Sequence, residues 1–266
     1  MSNKKREIPI FDHPIIETHC HLDYLEGEAL AQTLADAARV NVEKIVTIAV
    51  SPDNLVKVRK LTEIENIWGT QGVHPHEAEQ YTDATDVEIR QCAGADKIVA
   101  IGEIGLDYFY DHADRNVQKK VFERQLQIAV DLDLPIVVHT READEDTKAI
   151  LSNFSAHLNK KGVIHSFTSG LPLAEYCLSE GFMLGFNGII TFNRADNVRE
   201  VLNATPMAQM VVETDAPYLT PVPFRGRPNA PQYLPFIVEK IADVKGISID
   251  EVLQQTYKNA QRLFWR

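Results

Sequence analysis

Cysteine is scarce in this chain: Cys20, Cys92 and Cys177 are its 3 cysteines, and no two of them have CxxC spacing. Such a scattered, odd set excludes a disulfide framework and a thiolate-rich structural zinc site, and predicts reduced thiols in a cytoplasmic protein. Long apolar runs are also missing. None approaches the roughly 18 residues that a membrane span requires, so no membrane partner is expected. No apolar segment follows the charged stretch Met1–Arg6, so no signal peptide is expected either. Basic residues are the minority, 27 Lys and Arg against 38 Asp and Glu, for a formal net charge of -11. That excludes a protein that coats nucleic acid through a broad basic surface. It leaves room for an enzyme that gathers a nucleic-acid end into one local pocket.

What is present is ordinary globular material, 44% hydrophobic and 24% charged, which argues against disorder. A length of 266 residues is close to the roughly 250 of a single α/β barrel. No linker or low-complexity tract marks a second domain. Residues 15–266 are therefore expected to form one domain, with 1–14 an N-terminal extension to which no function is assigned.

Short, β-branched-rich runs recur at Ile15–Cys20, Lys44–Val50, Ile67–Val73, Ile98–Glu103, Ile136–His139, Val163–His165, Phe182–Gly185 and Met210–Thr214. Between them lie amphipathic stretches such as Glu28–Val40, Val117–Leu132, Asp144–Phe154 and Leu173–Glu180, with Ile237–Ala242 and Ile249–Leu263 as closing helices. Strand-like runs alternating with helical patterns indicate βα units and a parallel sheet. About eight such runs favour closure into a TIM-like (β/α)8 barrel. The Pro-rich stretch Pro217–Pro235 is expected to be a long loop after the last strand.

The polar residues segregate to one end of these runs. His19 and His21 end the first, His74 and His76 follow the third, Glu103 ends the fourth, His139 the fifth and His165 the sixth, and Asp215 follows the eighth. In a parallel barrel all strand C-termini open on one face, so these side chains are expected to converge there. His13, His112 and His157 do not share the pattern. Side chains alternate along a strand, so His19 and His21 share a face while Cys20 points the other way, toward the helices, as a small buried hydrophobe. The same parity sets Glu17 below His19 and Glu213 below Asp215, either as carboxylate partners for imidazole N–H groups or as hydrogen-bonded core carboxylates. Imidazole and carboxylate together suit zinc, manganese and similar divalent ions. The set is larger than one tetrahedral site needs. Paired ions about 3.5–4 Å apart suit phosphoester hydrolysis, because they acidify a water and clamp the attacking and leaving oxygens.

Six ordered segments carry a resemblance: Glu17-Thr-His-Cys-His-Leu-Asp23, Gly72-Val-His-Pro-His76, Gly102-Glu-Ile-Gly-Leu-Asp-Tyr108, His139-Thr-Arg-Glu142, His165-Ser-Phe167 and Glu213-Thr-Asp-Ala-Pro-Tyr-Leu219. They resemble the signatures of TatD-related DNases, over nearly the whole chain from Ile15, and Arg225-Gly-Arg-Pro-Asn229 is similar to that family's RGK-type loop. The resemblance implies a metal-dependent hydrolase of the amidohydrolase superfamily that acts on DNA, with 3′-to-5′ exonuclease character. It implies that His19, His21 and Asp215 hold one divalent ion (zinc, manganese or magnesium) together with Glu103. Glu103 would also reach a second ion, with His139 and His165. This chain departs from the family where Glu17 stands for the common Asp, where Arg194 follows Thr191-Phe-Asn193 in place of a Lys in that segment, and where Arg227 replaces Lys. Arginine and lysine differ in phosphate geometry, so these changes bear on substrate choice.

With Glu103 as the shared ligand, Asp215 is the expected general base. His74 and His76 are placed either to contact phosphate or the leaving group or to brace the fold. Arg141, Arg194, Arg225 and Arg227 are either phosphate clamps or solvated surface arginines. Tyr108, Phe109 and Tyr218 border the ligand motifs, with packing the more expected role and base stacking the alternative. Two rivals share the same residues: an ester or amide hydrolase such as a D-aminoacyl-tRNA deacylase, and a non-enzymatic metal-binding module. Oligomeric state is left open.

Overall fold

The computed structural model describes residues 6–265. Eight strands, β1 (Ile15–Cys20), β2 (Val42–Thr47), β3 (Ile67–Gln71), β4 (Ile98–Asp107), β5 (Ile136–Arg141), β6 (Gly162–Ile164), β7 (Met183–Phe186) and β8 (Met210–Val212), form one sheet in sequential order. Every neighbouring pair is parallel. The helices are α1 (Gly27–Arg39), α2 (Leu55–Leu61), α3 (Asp83–Ala93), α4 (Arg115–Leu132), α5 (Asp144–Phe154), α6 (Leu171–Ser179), α7 (Asp196–Ala204), α8 (Leu234–Lys245) and α9 (Ile249–Phe264). This is the (β/α)8 barrel expected from the alternating runs. No helix among the described residues is long and apolar enough to cross a membrane.

The barrel closes between its first and last strands. Cys20 bridges Ala216 in parallel fashion, the His21 amide donates to Ala216 O (2.8 Å), and the Asp215 amide donates to His19 O (2.9 Å). The closing seam therefore brings His19, His21 and Asp215 together, although they lie at opposite ends of the sequence. Cys20 itself is fully buried in the core shared by the strands and α1, α2 and α4. All three cysteines are buried and free.

Several boundaries differ from the sequence reading. The fourth strand does not end at Glu103 but runs on to Asp107, because Ile104 and Leu106 continue the buried pattern. A bulge opposite β5 absorbs the polar Glu103 within it. The sixth strand ends at Ile164, which leaves His165 on the turn that follows. The loop expected over Pro217–Pro235 is shortened by a 3-10 turn at Pro231–Tyr233 and by the start of α8 at Leu234. Helices α2, α3 and α7 were not among the expected elements. Of the expected extension 1–14, residues 1–5 lie outside the described residues. Ile8 and Phe11 pack on the core, and Arg6 pairs with Glu239 of α8 (2.6 Å).

Two glutamines of α4 hold the strand ends that carry the polar residues. Gln118 is fully buried, with its Oε1 accepting the Asp107 amide (2.9 Å) and its Nε2 donating to Asp107 O (3.1 Å). Gln125, equally buried, makes the same pair of bonds to Val73, the residue before His74. Gly105 lets β4 approach β5 beside His139. It has φ +137°, and a Cβ there would sit 1.9 Å from His139 O. Gly105→Ala is accordingly expected to cost at least about 2 kcal/mol through strain and overpacking, read as a lower midpoint in urea unfolding.

The opposite end of the barrel is sealed by α9. Its N-terminus is fixed by a capping box between Ser248 and Glu251. Its Ala260, Leu263 and Phe264 pack on Ile16, Val46, Val99, Val137, Val163, Met183 and Val211 from the strands. Trp265 meets Trp68 edge-on at 5.1 Å, with Lys44 Nζ over both rings.

Candidate metal centre

At the C-terminal mouth of the barrel the structure gathers His19, His21, His74, His76, Glu103, His139, His165 and Asp215. Glu103 is central, and its two oxygens face different neighbours. Oε2 lies 3.4 Å from His19 Nε2, whereas Oε1 lies 2.8 Å from His165 Nε2, 3.2 Å from His139 Nδ1 and 3.4 Å from His74 Nε2. Asp215 Oδ1 lies 3.6 Å from His19 Nε2 and 3.4 Å from His21 Nε2. Among the described residues, three sets offer one ligand atom per residue within 4.8 Å of one another: His19, His21 and Glu103; His19, His165 and Asp215; His74, Glu103 and His139.

The backbone around the ligands is constrained. Asp215 (φ 58°) and Ser166 (φ 45°) occupy the left-handed region, which costs a non-glycine residue about 1–3 kcal/mol and persists where neighbours hold it. Asp215 is held by its amide bond to His19 O. The Ser166 amide donates to Glu213 Oε1 at 2.6 Å. Gly185 leaves the space for that carboxylate, since a Cβ there would lie 2.5 Å from Glu213 Oε2. Glu213 also stands 3.5 Å from His165 Nδ1, the placement suited to backing an imidazole. Glu17 does otherwise. Its carboxylate accepts the His19 amide (3.1 Å), the Thr214 amide (2.9 Å) and the Thr214 hydroxyl (2.6 Å), so it bonds backbone across the closing seam and not an imidazole. Burial pushes the Glu17 carboxyl up to about 8.

The donor set fits divalent cations. Both ring nitrogens of His19 are buried and lack a hydrogen-bond partner. Leaving such a group unpaired costs about 1–3 kcal/mol, a cost that a cation held at Nε2 would remove for that nitrogen. The His19 ring stacks on His165 at 3.8 Å, nearly parallel, which disfavours a charge on both. Burial would raise the Glu103 carboxyl, but the electrostatic pull of His165 and hydrogen bonds from His139 and His165 outweigh it and hold Glu103 well below the ordinary carboxylate range. Asp215 follows the same pattern: burial raises it, and the His21 hydrogen bond with the neighbouring imidazoles brings it lower. Two ionised carboxylates among imidazoles are a ligand set for hard-to-borderline ions.

His74 has a different part, although distance alone groups it with Glu103 and His139. Its Nδ1 accepts the His76 amide (3.1 Å), so the proton of the neutral ring sits on Nε2. Burial, opposed by Glu103 and aided by His139 and His76, keeps His74 well below the ordinary histidine value, and therefore neutral at physiological pH. In that tautomer the Nε2–H directed into the centre is a hydrogen-bond donor.

A cavity of about 630 Å³ opens over the centre, lined by His21, Glu103, His139, His165 and Asp215 with Tyr24, His74, His76, Tyr110, Arg141 and Tyr218. Arg141 is the arginine that reaches it, stacked 4.0 Å over Phe109 and 4.9 Å over Tyr110. Arg194, Arg225 and Arg227 are exposed on the loops after β7 and β8, outside that lining, with Arg225 leaning on Phe192 at 3.6 Å. Phe109 and Tyr218 are half exposed, as are Tyr24 and Tyr110, so packing does not use them up. Tyr108 does pack: its hydroxyl donates to Asp146 at 2.6 Å, and Arg115 covers its ring.

Two participants escape the sequence reading. Asp107 is buried at the end of β4 and contacts both His76 and His139. Burial would raise its carboxyl, but hydrogen bonds from His139 and His76 take it far below the ordinary range. Its signal was the two-residue alternation from Glu103 through Gly105, which shows only if the strand continues. His112 belongs to the same rim, its ring 4.7 Å from His76 and stacked on Tyr110, because the loop after the lengthened β4 carries it there.

A (β/α)8 barrel with a buried histidine–carboxylate cluster at its C-terminal mouth defines a metal-dependent hydrolase. The family model for TatD related DNase matches residues 16–265, and the chain belongs to that family. It is 37% identical over 256 residues to the uncharacterized metal-dependent hydrolase YcfH of Escherichia coli (strain K12), covering 94% of this chain and 95% of that one. It is 40% identical over 202 residues to the 3'-5' ssDNA/RNA exonuclease TatD of Erwinia tasmaniensis, covering 74% and 78% respectively. The crystal structure of YJJV, a TatD homolog from Escherichia coli k12, superposes with a TM-score of 0.88 at 31% identity, over 94% of this chain and 97% of that one.

Proposed function

We propose that this hydrolase cleaves phosphodiester bonds in DNA, releasing nucleotides from a 3′ end, with two divalent ions in its centre. The observation that carries the reading is the division of Glu103. One oxygen faces His19, on the side where His21 and Asp215 stand, and the other faces His139 and His165. A carboxylate so placed would serve one ion together with His19, His21 and Asp215 and a second with His139 and His165. When bound, such a pair acidifies a water and stabilises charge on the phosphate oxygens, with zinc, manganese and magnesium as the candidate ions.

The chain's own residues supply the rest. Asp215, ionised and lining the cavity, takes the proton of the attacking water. His74 directs its Nε2–H at a phosphate or leaving-group oxygen, and His76 stands beside it. Arg141 is fixed by its aromatic stack where a phosphate can meet its fork. Tyr24 and Tyr218 flank His21, while Tyr110 stands beside His76, so unstacked bases find aromatic faces on both sides. Arg194, Arg225 and Arg227 serve a strand that continues past the cavity. The exonuclease TatD relative supports nucleic acid as the substrate.

The test is incubation of purified protein with end-labelled single-stranded DNA, with and without chelator, restoring magnesium, manganese and zinc separately. Mononucleotide release that chelator abolishes and an ion restores is the expected result. Deacylation of D-aminoacyl-tRNA without any nucleotide release would overturn the reading.

A further inference from the structure

Asp107 divides its oxygens as Glu103 does, but between loop and imidazole. Oδ1 accepts the amides of Phe109 (3.0 Å) and Tyr110 (2.9 Å), which fixes the turn after β4. Oδ2 meets His139 Nε2 and His76 Nε2, each at 3.0 Å. An ionised carboxylate only accepts hydrogen bonds, so both imidazoles present an N–H to it. For His139 this commits the proton to Nε2 and leaves the Nδ1 lone pair facing Glu103 Oε1 at 3.2 Å.

We propose that Asp107 is a positioning residue that locks His139 in the tautomer able to bind a metal through Nδ1. It thereby prepares the half of the centre formed by Glu103, His139 and His165. A carboxylate behind a ligating imidazole fixes ring orientation and raises basicity. Glu213 stands 3.5 Å from His165 Nδ1 without a hydrogen bond, and the Nδ1 atoms of His165, His19 and His21 are all buried with no partner, so His139 is the one backed by a bonded carboxylate. The two halves are thus unequally supported, and Asp107 acts on one of them. Through His76 it also reaches His74, because the His76 amide sets the tautomer of that ring.

This inference rests on the reading of His139 as a ligand, and the experiment separates the two. Asp107→Asn keeps Oδ1 for the Phe109 and Tyr110 amides but turns an NH2 toward the imidazoles, which drives the His139 proton to Nδ1. Calorimetric titration of zinc into the metal-free full-length variant is expected to show one ion weakened about 10–100-fold and the other unchanged. The backbone amide signals of Phe109 and Tyr110 should stay in place, which a merely structural role for Asp107 does not predict. In 15N-labelled, zinc-loaded wild type, His139 should coordinate through Nδ1 and carry a hydrogen-bonded Nε2–H, a measurement that needs no variant to fold. Coordination through Nε2 would overturn the proposal. So would wild-type zinc affinity in Asp107→Asn while His139→Ala loses an ion. Retention of both ions by His139→Ala would overturn the ligand reading, and this proposal with it.

Discussion

Glu103→Gln is expected to reduce turnover on single-stranded DNA by at least about 1,000-fold, some 4 kcal/mol of barrier, and to lower the bound metal content of the purified protein. Glutamine matches glutamate in shape, so the bulge in β4 and the packing of Ile101 and Ile104 on either side have no reason to change. What changes is charge and the second oxygen. With an amide, one side of residue 103 becomes an NH2 group, and either His19 or the pair His139 and His165 then meets a donor where it met an acceptor. Because a single side chain serves both halves, one substitution is expected to weaken both. Metal analysis by mass spectrometry after dialysis checks it, alongside circular dichroism for the fold. A variant that keeps both ions and its activity would leave Glu103 without the central part assigned to it.

Asp215→Asn should lower kcat by about 100- to 10,000-fold, the range for removal of a general base, while the barrel stays folded. The residue sits after β8, held by its amide bond to His19 O in a left-handed conformation that asparagine adopts readily. The informative readout is the pH dependence of kcat/KM at saturating metal. If Asp215 accepts the proton, the acid limb of the profile disappears along with most of the rate. If it serves only to hold an ion, excess metal restores the rate and the limb survives. Unchanged turnover would remove Asp215 from the mechanism.

The fold was legible because burial imposes its period on the sequence. Strands buried on both faces read as apolar runs, and the polar residues at their ends stood out against them. The convergence of His19, Glu103, His139, His165 and Asp215 follows from parallel strands alone. Illegible were features set by the third dimension. A glutamate inside β4 looked like a strand end, since nothing in the sequence says that a bulge can take it; Asp107 was given no role and His112 was set apart from the mouth as a result. The alternation that places Glu17 under His19 gives the level of the side chain but not its partner. Its bonds to His19 and Thr214 exist only because the barrel closes. Short α2 carries just 7 residues, too few for its periodicity to show. The reach of an arginine is equally a matter of loop path, which is why Arg141 enters the cavity and Arg194, Arg225 and Arg227 stay outside its lining.

Both tryptophans of this chain, Trp68 and Trp265, sit together at the sealed base, beneath α9 and away from the open mouth. Tryptophan emission, excited selectively, therefore watches the docking of the last helix and not the loading of ions at the mouth. A fluorescence melt and a metal-release curve recorded on one sample follow separate events. The temperature gap between them measures how far the mouth can lose its cations before the scaffold comes apart.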